Sequence, residues 1–215
     1  MTHSPFAARR RAVAGVFAAL TLSMGLSACA PLIVGGAVGG ALVAVDRRTS
    51  GAQLDDQGIE LRATNRVRDQ MGNRARAVVT SYNRRVLLTG EVASAADKEL
   101  AGKIVSGVDN VTEIINELAV TNSPSLTERA GDTLITGRVR ASLVDAKDLS
   151  VTAFKVVTER NTVYLMGRVT QREANRATDI ARNISGVQRV VRSFEILTEE
   201  ELARMLPKPA ANETK

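Results

Sequence analysis

Residues 78–92 read VVTSYNRRVLLTGEV, and residues 156–169 read VVTERNTVYLMGRV. Two such runs in a chain of 215 residues form an internal repeat, which takes precedence over any single element. Each run holds two alternating apolar stretches, over 77–82 and 86–92 in the first copy, around a short turn with an asparagine. Period-two alternation on either side of such a turn predicts a β-hairpin, with Gly90 or Gly167 where the second strand ends. The repeat extends outward. SGVDNV at 106–111 returns as SGVQRV at 185–190, while Asp56, Ile59, Ala63 and Val67 return as Asp132, Ile135, Val139 and Leu143 with identical spacing. The offset is near 77 residues, and two copies are too few for a solenoid.

Apolar residues four apart behind an aspartate predict an amphipathic helix with that aspartate as N-cap. A second helix is predicted over 95–106 and again over 173–184, stopped by Gly107 or Gly186. A last strand follows at 111–118 or 190–197. The order is αββαβ, of the α+β class: a three-stranded mixed sheet packed against two helices, twice. The strand–helix–strand crossover makes the last pairing parallel. The units span 55–122 and 131–198. A linker over 123–130 separates them, within a stretch rich in proline and small polar residues (TNSPSL, 121–126). The run TEEELARML at 198–206 suits a short helix at the start of the tail, 199–215, before Pro207 and Pro209 end order.

The N-terminal part has a different character. Residues 1–28 carry no acid, three consecutive arginines (Arg9, Arg10, Arg11) and an apolar run from Ala12 to about Leu26. A basic region, a short apolar region and small residues predict a secretory signal over 1–28. A spanning helix needs roughly 20 apolar residues, more than this run supplies. Leu26-Ser27-Ala28-Cys29 resembles the bacterial lipoprotein signal, which implies cleavage before Cys29 and acylation of that residue, the only cysteine. An ordinary signal with a chance cysteine is the alternative. Several acyl chains, palmitate among them, hold a protein durably where one holds it marginally. Ala30 follows the cysteine, which by the sorting rule of such lipoproteins implies the outer membrane, facing the periplasm. Residues 29–54 are then a lipidated tether. Its Gly- and Ala-rich start reads as a spacer beside the lipid rather than as a second membrane contact.

Composition removes most enzyme classes. Beyond the signal there is no histidine, no tryptophan and no thiol but Cys29. Zinc ligand sets, Ser-His-Asp and Cys-His nucleophiles and disulfides are thereby excluded. Asp55-Asp56 and Glu199-Glu200-Glu201 read as a helix cap and a solvated run. No enzyme activity, metal or cofactor is expected.

The order VxVxTxxGxVxLxGxV, helix, GVxxVxN resembles the BON-domain family of periplasmic and membrane-attached bacterial proteins. The first copy departs at Asn83-Arg84-Arg85, where a glycine is usual, and the second ends Val191-Arg192-Ser193 without the family's asparagine. Lipoprotein signal, two such domains and a short tail resemble the dual-BON outer-membrane lipoproteins that support envelope integrity.

The copies differ in charge. Residues 55–122 hold 9 Lys/Arg against 10 Asp/Glu, while 123–198 hold 12 against 8. Basic surface attracts nucleic acid or anionic lipid. A lipid-anchored periplasmic protein without exposed stacking aromatics is not expected to bind nucleic acid. Wound at 100° per residue, the first helix of the second copy turns Ile135, Val139 and Leu143 to the core. Leu134, Gly137, Ala141 and Val144 lie opposite, flanked by Arg138 and Arg140. An apolar stripe bordered by guanidiniums suits an interfacial helix on anionic phospholipid. The family resemblance implies the same helix and adds Val139, for a phosphatidylglycerol-like partner reached from the lipid anchor. A related protein carries an aromatic at the position of Leu134, which favours interfacial insertion. Two alternatives stay open: the stripe packs against the sister domain, or it docks an envelope assembly or division protein.

Overall fold

The computed structural model describes residues 46–121 and 125–206. The signal, Cys29, and the tether up to residue 45 lie outside the described residues, as do 122–124 and 207–215. The first module runs α1 (Ser50–Met71), β1 (Ala75–Tyr82), β2 (Arg85–Val92), α2 (Ala95–Ser106), β3 (Glu113–Asn116) and β4 (Ala119–Val120). The second runs α3 (Leu126–Asp145), β5 (Phe154–Glu159), β6 (Thr162–Thr170), α4 (Gln171–Arg182) and β7 (Arg189–Leu197). A short helix, α5 (Glu199–Met205), follows. In each module the hairpin strands pair antiparallel and the strand after the crossover helix pairs parallel.

The first helices start earlier than expected, and their aspartates are not N-caps. Thr49 caps α1, its hydroxyl accepting from the Ala52 N–H. Ser125 and Glu128 form a capping box on α3. Residues 50–54, read as tether, and 126–130, read as linker, are therefore helical. Asp56 and Asp132 sit inside their helices, buried. Asp132 accepts the N–H groups of Arg160 and Asn161 at 2.8 and 2.9 Å, one on each oxygen. Asp56 accepts those of Asn83 and Arg84 at 2.8 and 2.7 Å. Those four turn residues have φ between 51° and 65°. Such a left-handed pair matches the twist of a two-residue hairpin, yet non-glycine residues adopt it at a cost. The carboxylate offsets that cost from across the core.

This grip also sets the equivalence of the copies. Ser81 and Thr158 lie opposite Val86 and Val163, so the hairpins correspond at an offset of 77. The echo of VVTSYN in VVTERN is one residue out of register: Val79, not Val78, matches Val156, and both face their helices. The two glycines that were to stop the second helices are not equivalent either. Asn110 (φ 70°) and Gly186 (φ 96°) hold the left-handed position in their loops, and α4 ends at Arg182, short of the expected 184. Gly90 and Gly167 lie within β2 and β6 rather than at their ends. A Cβ there would meet the carbonyl oxygen of Arg76 on the neighbouring strand β1, or of Ala153 in the turn just before β5. The last strand is continuous only in the second module. In the first, the Asn116 side chain takes the Leu118 N–H (3.3 Å) and donates to the Lys98 carbonyl (2.7 Å). That divides the strand into β3 and β4.

Each helix pair covers one face of its sheet. Ile59, Ala63 and Val67 meet Val86, Leu88 and Val105 in one core; Ile135, Val139 and Leu143 meet Val163, Leu165 and Ala177 in the other. The opposite faces of the two sheets meet each other through Tyr82, Leu87, Tyr164 and Met166, with Ile115, Val157 and Val191 around them. The order of layers is helix, sheet, sheet, helix. Polar contacts ring this seam: Arg189–Glu117 at 2.7 Å, Asn83 Nδ2 to Glu195 at 2.7 Å, and Arg76 bridging Glu91 and Glu159. The Tyr82 hydroxyl donates to the Ala153 carbonyl at 3.3 Å; burial pushes this phenol up to about 12, so it stays a donor.

Residues 46–48 add a second link between the modules. Arg47 forks onto both oxygens of Glu173 at 2.7 and 2.8 Å and donates to the Arg168 carbonyl at 2.9 Å. Arg48 donates to Asp56 at 2.8 Å and stacks 4.4 Å over the Tyr82 ring.

Replacing Asp132 by alanine should lower the unfolding free energy by roughly 2–4 kcal/mol, since two charge-assisted bonds go at once. Asn, with one acceptor oxygen, should lose about half of that; urea denaturation of both variants checks the ratio. A second outcome concerns acid. Burial by itself raises the Glu173 carboxyl, but Arg47 and the Thr170 N–H together hold it below the usual carboxylate range. A depressed carboxyl adds stability above its unfolded pKa of about 4.5 and loses it as pH falls through the folded value. Glu173→Gln should therefore flatten the pH dependence of stability below about pH 4.5 while lowering stability at pH 7, as thermal melts across that window report.

Candidate functional site

The outward side of α3 is open. Leu134 and Val144 are each 61 % exposed, and Gly137, Arg138, Arg140 and Ala141 are exposed between them. The stripe does not pack against the sister module, because the modules meet through their sheets. Val139 is the exception: it is fully buried beside Ile135 and Leu143, so its methyls do not reach the surface. Its assignment to the binding face is corrected to a core position, as three to four residues per turn require.

The stripe is also longer than the sequence reading made it. The earlier start of α3 adds Leu126, 78 % exposed, and Ala130, also exposed. At 100° per residue both fall on the side of Leu134, Gly137, Ala141 and Val144. A capping box at Ser125–Glu128 (S-x-x-E) ahead of the apolar run was the available signal. Arg138 and Arg140 reach back toward the Ser185 and Val156 carbonyls at 3.4 Å, long enough to leave both guanidiniums open to another acceptor.

α1 offers a contrast. Leu54 and Leu61 are 71 % and 65 % exposed on its outward side. Gly58, Asn65 and Arg68 interrupt the row at the positions of Leu134, Ala141 and Val144. Beside α3, the solvent side of α4 carries Arg172, Arg176 and Arg182 against Asp179. Arg172 and Arg176 share the single carboxylate of Asp148 at 3.7 and 3.5 Å. The helix layer of the second module thus joins an apolar ridge to a basic flank.

Other features offer less. A cleft of about 430 Å³ opens where the modules meet, but Glu117, Glu159 and Arg189 in its wall are already paired. Among the described residues there is no cluster of metal-ligating side chains, and no helix is long and apolar enough to cross a membrane.

Comparison with known proteins agrees with the fold. The BON-domain family matches residues 56–122 and 131–198. The outer membrane lipoprotein DolP of Haemophilus influenzae is 37 % identical over 174 residues, covering 80 % of this chain and 90 % of that protein. A 21 kDa hemolysin of Actinobacillus pleuropneumoniae is 34 % identical over 150 residues, 69 % of this chain and 77 % of its own. A solved structure of CdsD, a structural protein of the type III secretion system of Chlamydia trachomatis, covers 74 % of this chain and 99 % of its own at 14 % identity. Its TM-score is 0.29. The chain is a member of the BON-domain family, with two BON domains in tandem.

Val139→Ala should cost about 2 kcal/mol of stability, from two buried methyls and the cavity they leave. Val144→Ala should stay within about 0.5 kcal/mol. Denaturant midpoints of the two variants separate core from surface.

Proposed function

We propose that this protein is an outer-membrane lipoprotein, anchored through Cys29 on the periplasmic side, that binds anionic phospholipid through α3 and so supports envelope integrity. The relationship to an outer membrane lipoprotein supports the compartment. The exposure of Leu134 and Val144 carries the binding site, because folding buries the other side of the same helix and leaves this one unused. Leu126, Leu134 and Val144 enter the acyl boundary, Gly137 and Ala141 let the helix lie close, and Arg138 and Arg140 meet lipid phosphates. The basic side of α4 adds long-range attraction to a negative leaflet. None of these steps is catalytic.

A chain of residues 46–215 should show amide shifts at 126–144 on titration with phosphatidylglycerol micelles. The shifts should shrink as salt rises, because screening removes the electrostatic share. Leu134→Asp should weaken binding at least tenfold, and unmoved α3 signals in low salt would overturn the reading. Crosslinking in cells from position 144 that yields mainly protein adducts would instead favour an assembly or division partner.

A further inference from the structure

Residues 46–48 precede the first module in sequence, yet Arg47 is held by the second. Its guanidinium is buried against Glu173 in the first turn of α4, and the link is reciprocal, for Arg168 donates back to the Arg47 carbonyl at 3.0 Å. Arg48 meanwhile serves the first module through Asp56 and Tyr82. Neighbouring residues thus grip opposite halves of the molecule.

The place of the grip matters. Asp148, just beyond the C-terminal end of α3, pairs with Arg172 and Arg176 of α4. The first turn of α4 therefore lies beside the end of α3 that bears Val144. α3 has 20 residues, a length of about 30 Å, so its two ends are far apart on the scale of a module. Without Arg47, the upstream chain would join the body at the start of α1, on the other module.

We propose that Arg47 and Arg48 form a clasp that moves the attachment point of the lipid-anchored segment from the first module to the Val144 end of α3 in the second, so that the anchor presents the second module to the bilayer. This rests on the reading of Cys29 as the anchor and deepens the lipid-binding reading of α3. Arg47 is a positioning residue, touching no lipid itself. Fully extended, the segment from Cys29 to Asp46 spans at most about 60 Å, so the point where it joins the body bears on which face meets the membrane.

The chain has no tryptophan, so one placed at position 134 or 61 reports alone. Residues 29–215 carrying Leu134→Trp or Leu61→Trp are coupled through Cys29 to maleimide lipid in vesicles of phosphatidylcholine with a brominated lipid quencher. Quenching should be at least about twofold greater at position 134 than at 61. Arg47→Ala should bring the two toward equality, and the exchange Arg47→Glu with Glu173→Arg should restore the difference. Equal quenching in the clasped chain, or a ratio that Arg47→Ala leaves unchanged, overturns the proposal. Circular dichroism of each variant shows whether it is folded, and Arg47→Gln breaks the fork if the alanine variant is not. The lipid-binding reading is scored separately, on residues 46–215 with Leu134→Trp and untethered phosphatidylglycerol vesicles. A missing blue shift there sinks that reading and leaves the phosphatidylcholine ratio to decide the clasp.

Discussion

A buried carboxylate on the first helix of each module holds the tip of the hairpin that follows. The turn needs two consecutive residues in the left-handed region, and the chain supplies Asn83-Arg84 and Arg160-Asn161 rather than glycine. Asp56 and Asp132 meet both N–H groups of each turn and so offset what the side chains cost there. The same bonds fix the height of the helix on the sheet. Because the side-chain period of a strand is two, alternate residues of the hairpin face the helices and the other module. Tyr82, Leu87, Tyr164 and Met166 are free to build the seam because Val79, Val86, Val156 and Val163 are turned inward.

The seam explains why the central strands read as they do. β2 and β6 are covered on both faces, by helices on one and by the sister sheet on the other. Sequences buried twice run almost continuously apolar, as VLLTGEV and VYLMGRV do. Their polar members are all engaged or tucked away: Glu91 holds Arg76, and Arg168 holds Glu195. The hydroxyls of Thr89 and Ser193 are buried with no hydrogen-bond partner among the described residues. The seam is therefore an apolar centre with an ionic rim, and much of its specificity comes from named charge pairs.

Fold class, element order and the repeat were legible because they rest on periodicity, which each module expresses in its own residues. Equivalence within the repeat was not. The VVTSYN and SGVDNV echoes match letters better than they match positions, since Asn110 does in one loop what Gly186 does in the other. The aspartates were found but misassigned, because a buried side chain reaching a turn some 28 residues away leaves no local pattern. For the outward stripe, the helical wheel identified Leu134, Gly137, Ala141 and Val144, but the late helix start concealed Leu126 and Ala130. Val139 was carried onto the binding face by resemblance, against its own place on the wheel, and the packing removes it. The clasp left no sequence signal at all, because Arg47 and Glu173 are 126 positions apart.

The proposed ridge is weak by design of its size. Its three larger side chains, fully transferred, would contribute on the order of 5–8 kcal/mol, and partial insertion delivers less. Losses of rotational and side-chain freedom reduce this further, toward the roughly 4 kcal/mol that corresponds to millimolar affinity. Free in solution, such a helix would leave the bilayer as readily as it arrived. Tethering changes the reference state, since a short linker supplies an effective concentration that is also in the millimolar range. If α3 binds lipid as proposed, the ridge would then sit near half occupancy, where small changes in leaflet charge shift it most. An anchor that delivered the first module instead would apply the same concentration to the interrupted row on α1, with Asn65 and Arg68 in the places of Ala141 and Val144. On this reading the anchor and the ridge work only as a pair, and the fork between Arg47 and Glu173 decides which face the pair employs.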